Sequence, residues 1–374
     1  MSEIRVNRLS NELNTGGPTL SGITTFSGQQ YFVPPSGSTA QRPSDCPPGS
    51  IRFNTDSAHL EYFDGLQWLE FEATSEELGG GTGSNTGLGT RAIWGGGSTT
   101  PTTGDTIDYV TITTLGNAQD FGNLTAARQA SQSACSSRER CLWGGGYGGS
   151  GRINTIDYVT IASTGNAQDF ADLLAARTST SGGGNQTRGI FAGGNESPGN
   201  VNTIEYVTIA SIGVNAQDFG DLTASQPECA SAGSPVRGLT GRSSLNIDYI
   251  TFSTLGNAQD FGTISNSNVC GAVSSATRAV FAGEYIGNKI HFVTIASLGN
   301  SQDFGDLTVS RFRTVGASSP TRGVFGGGSA PPSFSSTNLI DYITIATTGD
   351  ALDFGDLTRS AGLMGAGSNG HGGL

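Results

Sequence analysis

The chain has 374 residues, including 58 Gly and 13 Pro, and only 13 % of its residues are charged. This composition, with abundant Ser and Thr, favours short strands joined by tight turns over helices. The net charge of −12 and the single Lys argue against nucleic-acid binding and against docking on an anionic membrane surface, and no apolar run is long enough to span a membrane.

Residues 1–78 predict a small β-rich module. The start of the chain lacks the apolar segment of a secretory signal. Residues 34–50 are rich in Pro and Ser and predict an extended linker. Residues 50–71 predict two or three strands, with turns at Asn54–Thr55 and Asp64–Gly65.

The Gly-rich residues 79–90 predict a flexible hinge, and residues 91–374 after it consist of an internal repeat. Each repeat contains an Arg before a short apolar run and a Gly-rich turn, then an extended segment such as TIDYVTI, then NAQDF or a variant of it. The Phe of this last segment recurs at intervals of 42 to 50 residues, at Phe121, Phe170, Phe219, Phe261, Phe304 and Phe354.

The turn signals predict four antiparallel strands in each repeat. RGIFAGG is a β-branched and aromatic run that ends at Gly, and TIDYVTIA is followed by Gly-Asn, which suits a hairpin loop. AQDFGDL begins the return strand, and a Ser- and Gly-rich stretch supplies another. Six such units predict a β-propeller, because no sustained 3.6-residue periodicity supports a helical solenoid.

The order of these segments resembles the kelch repeat, with the Phe of QDF where kelch repeats usually carry Trp. The Gly pair of that repeat is lost at residues 239–244 and weakened at 281–285. The resemblance implies an all-β fold in which residues 91–374 form a six-bladed kelch-like propeller. The regulator-of-chromosome-condensation type of propeller is the alternative. Since the first repeat opens at Arg91 on a second strand, we expect the C-terminal tail to supply the first strand of blade one.

Residues 36–68, read as SGSTAQRP, then GSIRFNT, then LEYFDGLQW, resemble a module of tail fibres and other appendage proteins of tailed bacteriophages, notably of cyanophage type. In that family the module lies near the virion and precedes a variable distal domain. The resemblance implies a virion structural protein, made in the host cytoplasm, whose residues 1–78 attach to other virion proteins. It also implies a homotrimer through residues 1–75, although no coiled-coil heptads support one.

Each repeat carries one Arg before its Gly turn and one Asp in its DF segment, and the equal counts predict charge-assisted pairs between strands or blades. The acid of the IDY segment is an alternative partner, but the fifth repeat has His291 there. We name the two sets the strand-start arginines (Arg91, Arg140, Arg188, Arg237, Arg278 and Arg322) and the DF aspartates (Asp120, Asp169, Asp218, Asp260, Asp303 and Asp353).

The sequence offers little for catalysis, and we expect no enzyme activity, no metal and no cofactor. Six equivalent Asp cannot supply the two carboxyl groups of different protonation that glycoside hydrolysis requires. The three His (His59, His291 and His371) have no metal-ligand spacing with Cys or acids. No Gly run continues into the Gly-Lys-Ser/Thr of a phosphate-binding loop, and five Cys without a CxxC pair predict reduced thiols.

The loops after the Gly turns differ between repeats, whereas the TGNAQ turns barely differ. A rigid scaffold with one variable face is typical of a recognition module, so we expect these loops to bind a host-surface glycan or protein. One alternative is that these are ordinary solvated loop residues. Another is a purely structural capsid-decoration, baseplate or tail component whose propeller contacts other virion proteins. Aromatic and charged loop residues are the candidate contacts: Tyr147, Arg152, Glu196, Arg242, Tyr285, Lys289 and Phe334.

Overall fold

A computed structural model shows an all-β protein, which confirms the expected all-β class. The chain divides into two compact units, Met1–Thr74 and Ser75–Leu374. No helix within the described residues is long and apolar enough to cross a membrane. The structure describes residues 34–57, 59–71, 90–99, 102–129, 133–225, 227, 230–241, 245–265 and 270–374.

The first unit contains one small sheet. Its strands are Ser36–Gly37, Ile51–Asn54, His59–Phe63 and Trp68–Glu70, and a 3-10 helix spans Thr39–Gln41. The first pair of strands is parallel, and the next two pairs are antiparallel hairpins. The strand bounds place the two hairpin turns after Asn54 and after Phe63.

A buried carboxylate lies at the centre of this unit. Glu61 accepts hydrogen bonds from Arg42 and Asn54, and the Arg52 guanidinium lies 3.5 Å from its second oxygen. The hydrogen bond from Arg42 holds the pKa of the Glu61 carboxyl below its usual value. These partners replace the hydration that burial removes, so the charge is tolerated in a sheet of only four short strands.

The second unit contains six antiparallel sheets, each built on four strands that are hydrogen-bonded in the order first to fourth. The strands are Gly365–Ser368, Arg91–Gly95, Thr106–Thr111 and Gln119–Asn123 in sheet 1; Ala134–Ser136, Arg140–Gly148, Gly151–Thr160 and Gln168–Asp172 in sheet 2; Ser181–Gly184, Arg188–Ala192, Thr203–Thr208 and Gln217–Asp221 in sheet 3; Ala230–Gly233, Arg237–Gly241, Asn246–Thr251 and Gln259–Thr263 in sheet 4; Gly271–Ser274, Arg278–Ala282, Lys289–Thr294 and Gln302–Asp306 in sheet 5; and Val315–Ser318, Arg322–Gly326, Leu339–Thr344 and Leu352–Asp356 in sheet 6.

Short strands extend this framework at the variable loops. In sheet 2, Arg128–Gln129 pairs with the long second strand. Two small hairpins join Ser98–Thr99 to Thr102–Thr103 and Ser329–Ala330 to Ser335–Ser336.

The first strand of sheet 1 comes from the C-terminal tail. Gly365–Ser368 pairs antiparallel with Arg91–Gly95, so that Ser368 lies opposite Ala92. Each first strand contacts the first strand of the next sheet, and that of sheet 6 contacts that of sheet 1. Serine hydroxyls reinforce this contact, because Ser368 Oγ donates to the Ser318 carbonyl at 2.6 Å and Ser318 Oγ donates to the Ser274 carbonyl at 2.9 Å.

Large aromatic side chains pack from one sheet onto the preceding one. The indole of Trp143 in sheet 2 lies so close to Gly95 in sheet 1 that a Cβ on Gly95 would be 2.7 Å from it. Trp94 packs in the same way on Gly326 of sheet 6. The indole of Trp143 also donates to the Gly365 carbonyl at 3.0 Å. The Gly that ends each of these two apolar runs therefore makes room for an aromatic ring of the next sheet.

Two histidines, His291 buried and His371 half-buried, predict that stability falls in acid. His291 is 5 % exposed, and neither of its ring nitrogens has a hydrogen-bond partner among the described residues; His371 Nε2 lies 2.8 Å from the Ser136 carbonyl. Burial lowers the pKa of both rings. The unfolded chain therefore binds more protons below the unfolded pKa of about 6.5, and stability present above that pH is lost as pH falls through the folded pKa.

We expect the denaturant midpoint of the second unit to be lower at pH 5 than at pH 7.5. His291→Leu should make this fall shallower, because it removes one ring that must stay neutral when folded. His59→Gln is the matched control, since its side chain is 48 % exposed. An equally steep fall in His291→Leu and wild type would contradict the assignment.

Candidate binding site

The strand-start arginines do not pair with the DF aspartates, and this corrects the expected Arg–Asp pairs. Each guanidinium lies over an aromatic ring of the third strand in its own sheet, as Arg91 lies 4.7 Å from the ring centre of Tyr109. Each also donates to a backbone carbonyl of the next sheet. Arg91 reaches the Ile161 carbonyl at 2.9 Å, and Arg322 of sheet 6 reaches the Ile112 carbonyl of sheet 1 at 2.8 Å.

All six DF aspartates are exposed. Strand residues alternate between two faces, and the Phe that follows each of these Asp is buried. The Asp is consequently placed on the solvent side, out of reach of the arginines. The equal numbers of Arg and Asp therefore did not predict the correct ion pairs, because a residue count does not show on which face of a strand each side chain lies.

The acids of the IDY segments are buried, and three of them pair with arginines that the sequence reasoning missed. Arg311 lies 2.9 Å from Asp341, and equivalent ion pairs join Arg128 to Asp157 and Arg177 to Glu205. Each of these arginines follows the fourth strand of the preceding sheet and is fully buried. The available signal was an Arg seven residues after the DF Phe in three repeats.

A threonine strengthens the same link between sheets. Thr308 donates its backbone N–H and its hydroxyl to Asp341, at 3.1 and 2.7 Å. Thr358 of sheet 6 contacts Asp108 of sheet 1 in the same manner. Burial raises the pKa of Asp108 while the hydrogen bonds from Thr358 oppose that rise. The third strand of a sheet is thus held to the segment that follows the preceding sheet.

The NAQDF segment joins each sheet to the outer edge of the one before it. In sheet 2, Gly165 N–H donates to the Phe121 carbonyl at 2.7 Å and Ala167 N–H to the Asn123 carbonyl at 2.8 Å. The Asn166 side chain accepts the Asn123 N–H at 3.1 Å, and the same Asn or Asp contact recurs in the other five sheets. The repeated segment therefore covers an exposed strand edge.

Three candidate residues lie together on the loops of sheets 2 and 3. Tyr147 is 46 % exposed and pairs across its hairpin with Arg152. Arg152 donates to the Asn195 carbonyl at 3.0 Å, and Glu196 lies 3.8 Å from Arg177. These contacts engage the two charged candidates with other residues of the protein, whereas Tyr147 is 46 % exposed.

Two other candidates do not contribute to a described loop site. Lys289 is the first residue of a strand and pairs with Asp306 on the adjacent strand at 3.1 Å. Arg242 lies outside the described residues, as do residues 79–89 of the expected hinge.

The remaining two candidates, Tyr285 and Phe334, meet and form a site. Their rings stack with centres 5.3 Å apart and planes at 20°, and Phe312 contacts Tyr285 edge to face at 5.2 Å. A cavity of about 310 Å³ opens beside them. We call it the aromatic cavity; it is lined by Tyr285, Phe312, Arg313, Phe334 and Leu363 together with small polar residues.

Two other cavities are poorer candidates. One of about 50 Å³ lies among the first strands beside His371 and has room only for water. Another, of about 340 Å³, lies against the repeated turn of sheet 4, where the Tyr249 hydroxyl already donates to Gln259. The residues that line this cavity recur in the turns of other repeats, so they do not distinguish sheet 4 from the other sheets.

Local hydrogen bonds hold the loop of Tyr285. The buried Glu284 carboxylate accepts the Lys289 N–H at 3.0 Å, and Gly287 N–H donates to Ser310 Oγ at 3.0 Å. Gly287 has a φ of +156°, and a Cβ there would lie 1.7 Å from Glu284 Oε1. This position therefore requires Gly for the Tyr285 loop to keep its shape.

The segments that carry Phe312 and Phe334 are also fixed. Phe312 and Ser329 exchange both backbone hydrogen bonds, at 2.9 and 2.7 Å, and Ser336 Oγ donates to the Ser98 carbonyl at 3.3 Å. Rings that are already ordered lose little entropy when a ligand binds.

Left-handed backbone occurs at three residues that line the aromatic cavity. Five non-Gly residues in the described part of the chain have φ between 53° and 74°, and three of them line the cavity. These are Arg313 at 60°, Phe334 at 53° and Leu363 at 57°. Ser179 has a similar φ of 58° and lies, like Arg313 and Leu363, nine residues after the DF Phe of its repeat, so the conformation of these two cavity residues belongs to the repeated scaffold and that of Phe334 does not.

The sequence was compared with protein-family models and with curated proteins, and it matches none of them. Function is therefore inferred from the residues of the aromatic cavity and from the arrangement of the sheets.

Proposed function

We propose that the second unit is a six-bladed, kelch-like β-propeller that binds a glycan through the aromatic cavity. The cyclic contact of the first strands supports the ring, as do the strand-start arginines, which link every sheet to the next and sheet 6 to sheet 1. In such a ring, the strand Gly365–Ser368 would close blade one and leave no open sheet edge at the junction.

The stacked pair of Tyr285 and Phe334 is the observation that carries the binding proposal. Both rings are partly exposed, at 46 % and 37 %, although aromatic side chains are favourable to bury. Their rings can pack on the C–H face of a sugar while nearby hydroxyls bond to its polar groups. A volume of about 310 Å³ is at the lower end of small-ligand sites and suits one or two sugar rings.

We extend this proposal to the biological role of a phage virion appendage protein that adheres to the host surface. The resemblance of residues 36–68 to appendage proteins supports attachment of the first unit to other virion proteins. A shallow site on a particle gains strength from many copies, because linked weak contacts raise the effective concentration of the next contact. The resemblance provides less support for a trimer, since no heptads accompany it.

Binding of the full chain to an array of bacterial surface polysaccharides tests the proposal. Wild type should bind a subset of the array, and Tyr285→Ala combined with Phe334→Ala should reduce that binding at least tenfold because the stacking surface is removed. Tyr147→Ala is the matched control, since Tyr147 is also 46 % exposed but lies on another sheet. It should bind like wild type.

Thermal unfolding of each variant separates lost binding from lost structure. If Tyr147→Ala loses as much binding as the double variant, the site is in the wrong place. If wild type binds no polysaccharide but associates with other virion proteins through the second unit, the structural alternative replaces the adhesin.

A further inference from the structure

The described part of the first unit contains no apolar core of its own. Its buried side chains are Arg52, Asn54 and Glu61, and none of its described apolar side chains is buried. A domain of about 40 residues usually needs a disulfide, a metal or another subunit to be stable. Cys46 is a free thiol, and no cluster of acids, His and Cys among the described residues could hold a metal. Association with further polypeptide therefore remains as the means of burying apolar surface in this unit.

One face of the small sheet carries the apolar side chains that are left uncovered. Cross-strand partners share a face of a sheet, and the pairing of three strands places six apolar residues on this face in two rows. The rows are Phe53, Leu60 and Phe71, and Ile51, Tyr62 and Leu69. Ile51 is 52 % exposed, Leu60 41 % and Phe71 46 %. We call this surface the apolar sheet face; the buried Glu61 and Arg52 lie on the opposite face.

None of the six side chains of the apolar sheet face is charged. In a chain of net charge −12, two copies repel each other wherever acidic surfaces meet. Two copies of this face can meet without placing like charges opposite each other, and they bury apolar surface when they do. A basic partner would instead be drawn to the acidic remainder of the chain. The lack of charge on this face therefore favours a second copy of the same chain as its occupant.

We propose that two copies of the chain pair through their apolar sheet faces, so that the two first units form a two-layer β-sandwich. Identical faces related by a two-fold axis contact each other with the same residues on both sides, and the side chains of facing sheets interdigitate. Each copy then supplies the apolar core that the other lacks. A dimer also carries two second units, so weak ligand binding at each one adds up. The pairing itself does not depend on the proposed glycan binding.

Sedimentation equilibrium of the full chain, from about 1 to 100 µM, tests the pairing. Wild type should form dimers with a micromolar dissociation constant, because a face three strands wide gives an interface at the small end of the usual range. Leu60 lies on the middle strand, and Leu60→Glu should weaken dimerisation at least tenfold because it buries unpaired carboxylates. Leu66→Glu is the matched control. Leu66 is 93 % exposed in the turn before Trp68–Glu70, so this variant should dimerise like wild type.

Salt provides a second measurement that needs no variant. Dimerisation of wild type should tighten as the NaCl concentration is raised from about 0.05 to 0.5 M, because salt screens the repulsion between the two acidic copies and does not weaken apolar contact. An interface built on ion pairs would weaken over the same range. Weaker association of wild type at high salt would therefore overturn the assignment to the apolar sheet face, even if Leu60→Glu fails to fold.

Three other outcomes would overturn the proposal. Wild type that stays monomeric shows that no second copy occupies the face, and association that begins once residues 1–33 are removed would identify that segment of the chain as the occupant. Equal dimerisation of Leu60→Glu and wild type would place the interface elsewhere. A trimer would contradict the two-fold pairing and favour the assembly that the resemblance implies.

Discussion

Asp341→Ala is expected to destabilise the second unit by about 3–5 kcal/mol, the usual cost of removing one partner of a buried ion pair. Asp341 is 1 % exposed and Arg311 is fully buried, with 2.9 Å between their charged groups. The substitution leaves the buried Arg311 guanidinium without its carboxylate partner, and it removes the acceptor of both Thr308 hydrogen bonds. Equilibrium unfolding in guanidinium chloride, followed by tryptophan fluorescence, measures the change.

Asp353→Ala is the matched control. Asp353 lies directly opposite Asp341 on the adjacent strand of the same sheet, but it is exposed. Its removal should change stability by no more than about 0.5 kcal/mol. Similar losses of stability in the two variants would contradict this account, because they would show that the DF aspartates also stabilise the fold.

A double variant distinguishes the effect of an unpaired buried charge from the effect of lost side-chain volume. Asp341→Leu with Arg311→Met removes both charges and keeps apolar volume, so it should be more stable than Asp341→Ala. If the double variant is less stable than Asp341→Ala, the bonds that Arg311 donates to the carbonyls of Phe325, Gly327 and Leu339, or its packing, matter more than its unpaired charge.

A chain truncated after Arg359 is expected to lose cooperative unfolding of the second unit. The missing residues include the strand Gly365–Ser368, whose pairing occupies one edge of Arg91–Gly95. They also include the acceptor of the Trp143 indole hydrogen bond and the Ser368 hydroxyl bonded to sheet 6. Loss of the strand exposes an unpaired edge and buried apolar surface together, and dye binding with circular dichroism detects both.

A synthetic peptide of residues 360–374 should restore folding when it is added to the truncated chain. In the control peptide, Gly365 and Gly367 are replaced by Val. A Cβ at either position would lie 2.6 Å from Trp143 or from the Cys141 sulfur, so this peptide should not bind. Truncation without loss of stability, or rescue by both peptides, would contradict the role of this strand.

The sequence was a good guide where a pattern recurs along the chain. Four strands per repeat follow from β-rich runs punctuated by Gly, and the structure has them within a few residues of the expected positions. The Phe of each DF segment, which marks the repeat in the sequence, is buried in all six sheets. A pattern that occurs in six repeats can be recognised even where one repeat departs from it, as the fifth does with His291 in place of an acid.

Contacts that depend on geometry were not predictable in this way. The strand-start arginines bind carbonyls and rings because alternation along the strand places the DF aspartates on the outside. Arg311 and Asp341 are 30 residues apart in the sequence and belong to successive repeats, so their pairing follows only from the packing of two sheets.

The aromatic cavity illustrates the same limit. Tyr285 and Phe334 were singled out as separate loop residues, and nothing in the sequence indicates that their rings stack. Phe312 and Arg313 precede a first strand, in a segment expected only to contribute a Ser- and Gly-rich strand. Loops of different length bring these residues together, and loop length carries no periodic signal.

Hydrogen–deuterium exchange of the full chain, with and without a saturating concentration of a bacterial surface polysaccharide that the chain binds, tests most directly where the function lies. Binding at the aromatic cavity should slow exchange at residues 284–289, 312–314 and 328–337, while the repeated turns before the DF segments should exchange as in the free protein. Slower exchange in those repeated turns, with no change around the aromatic cavity, would contradict the assignment of function to the variable loops.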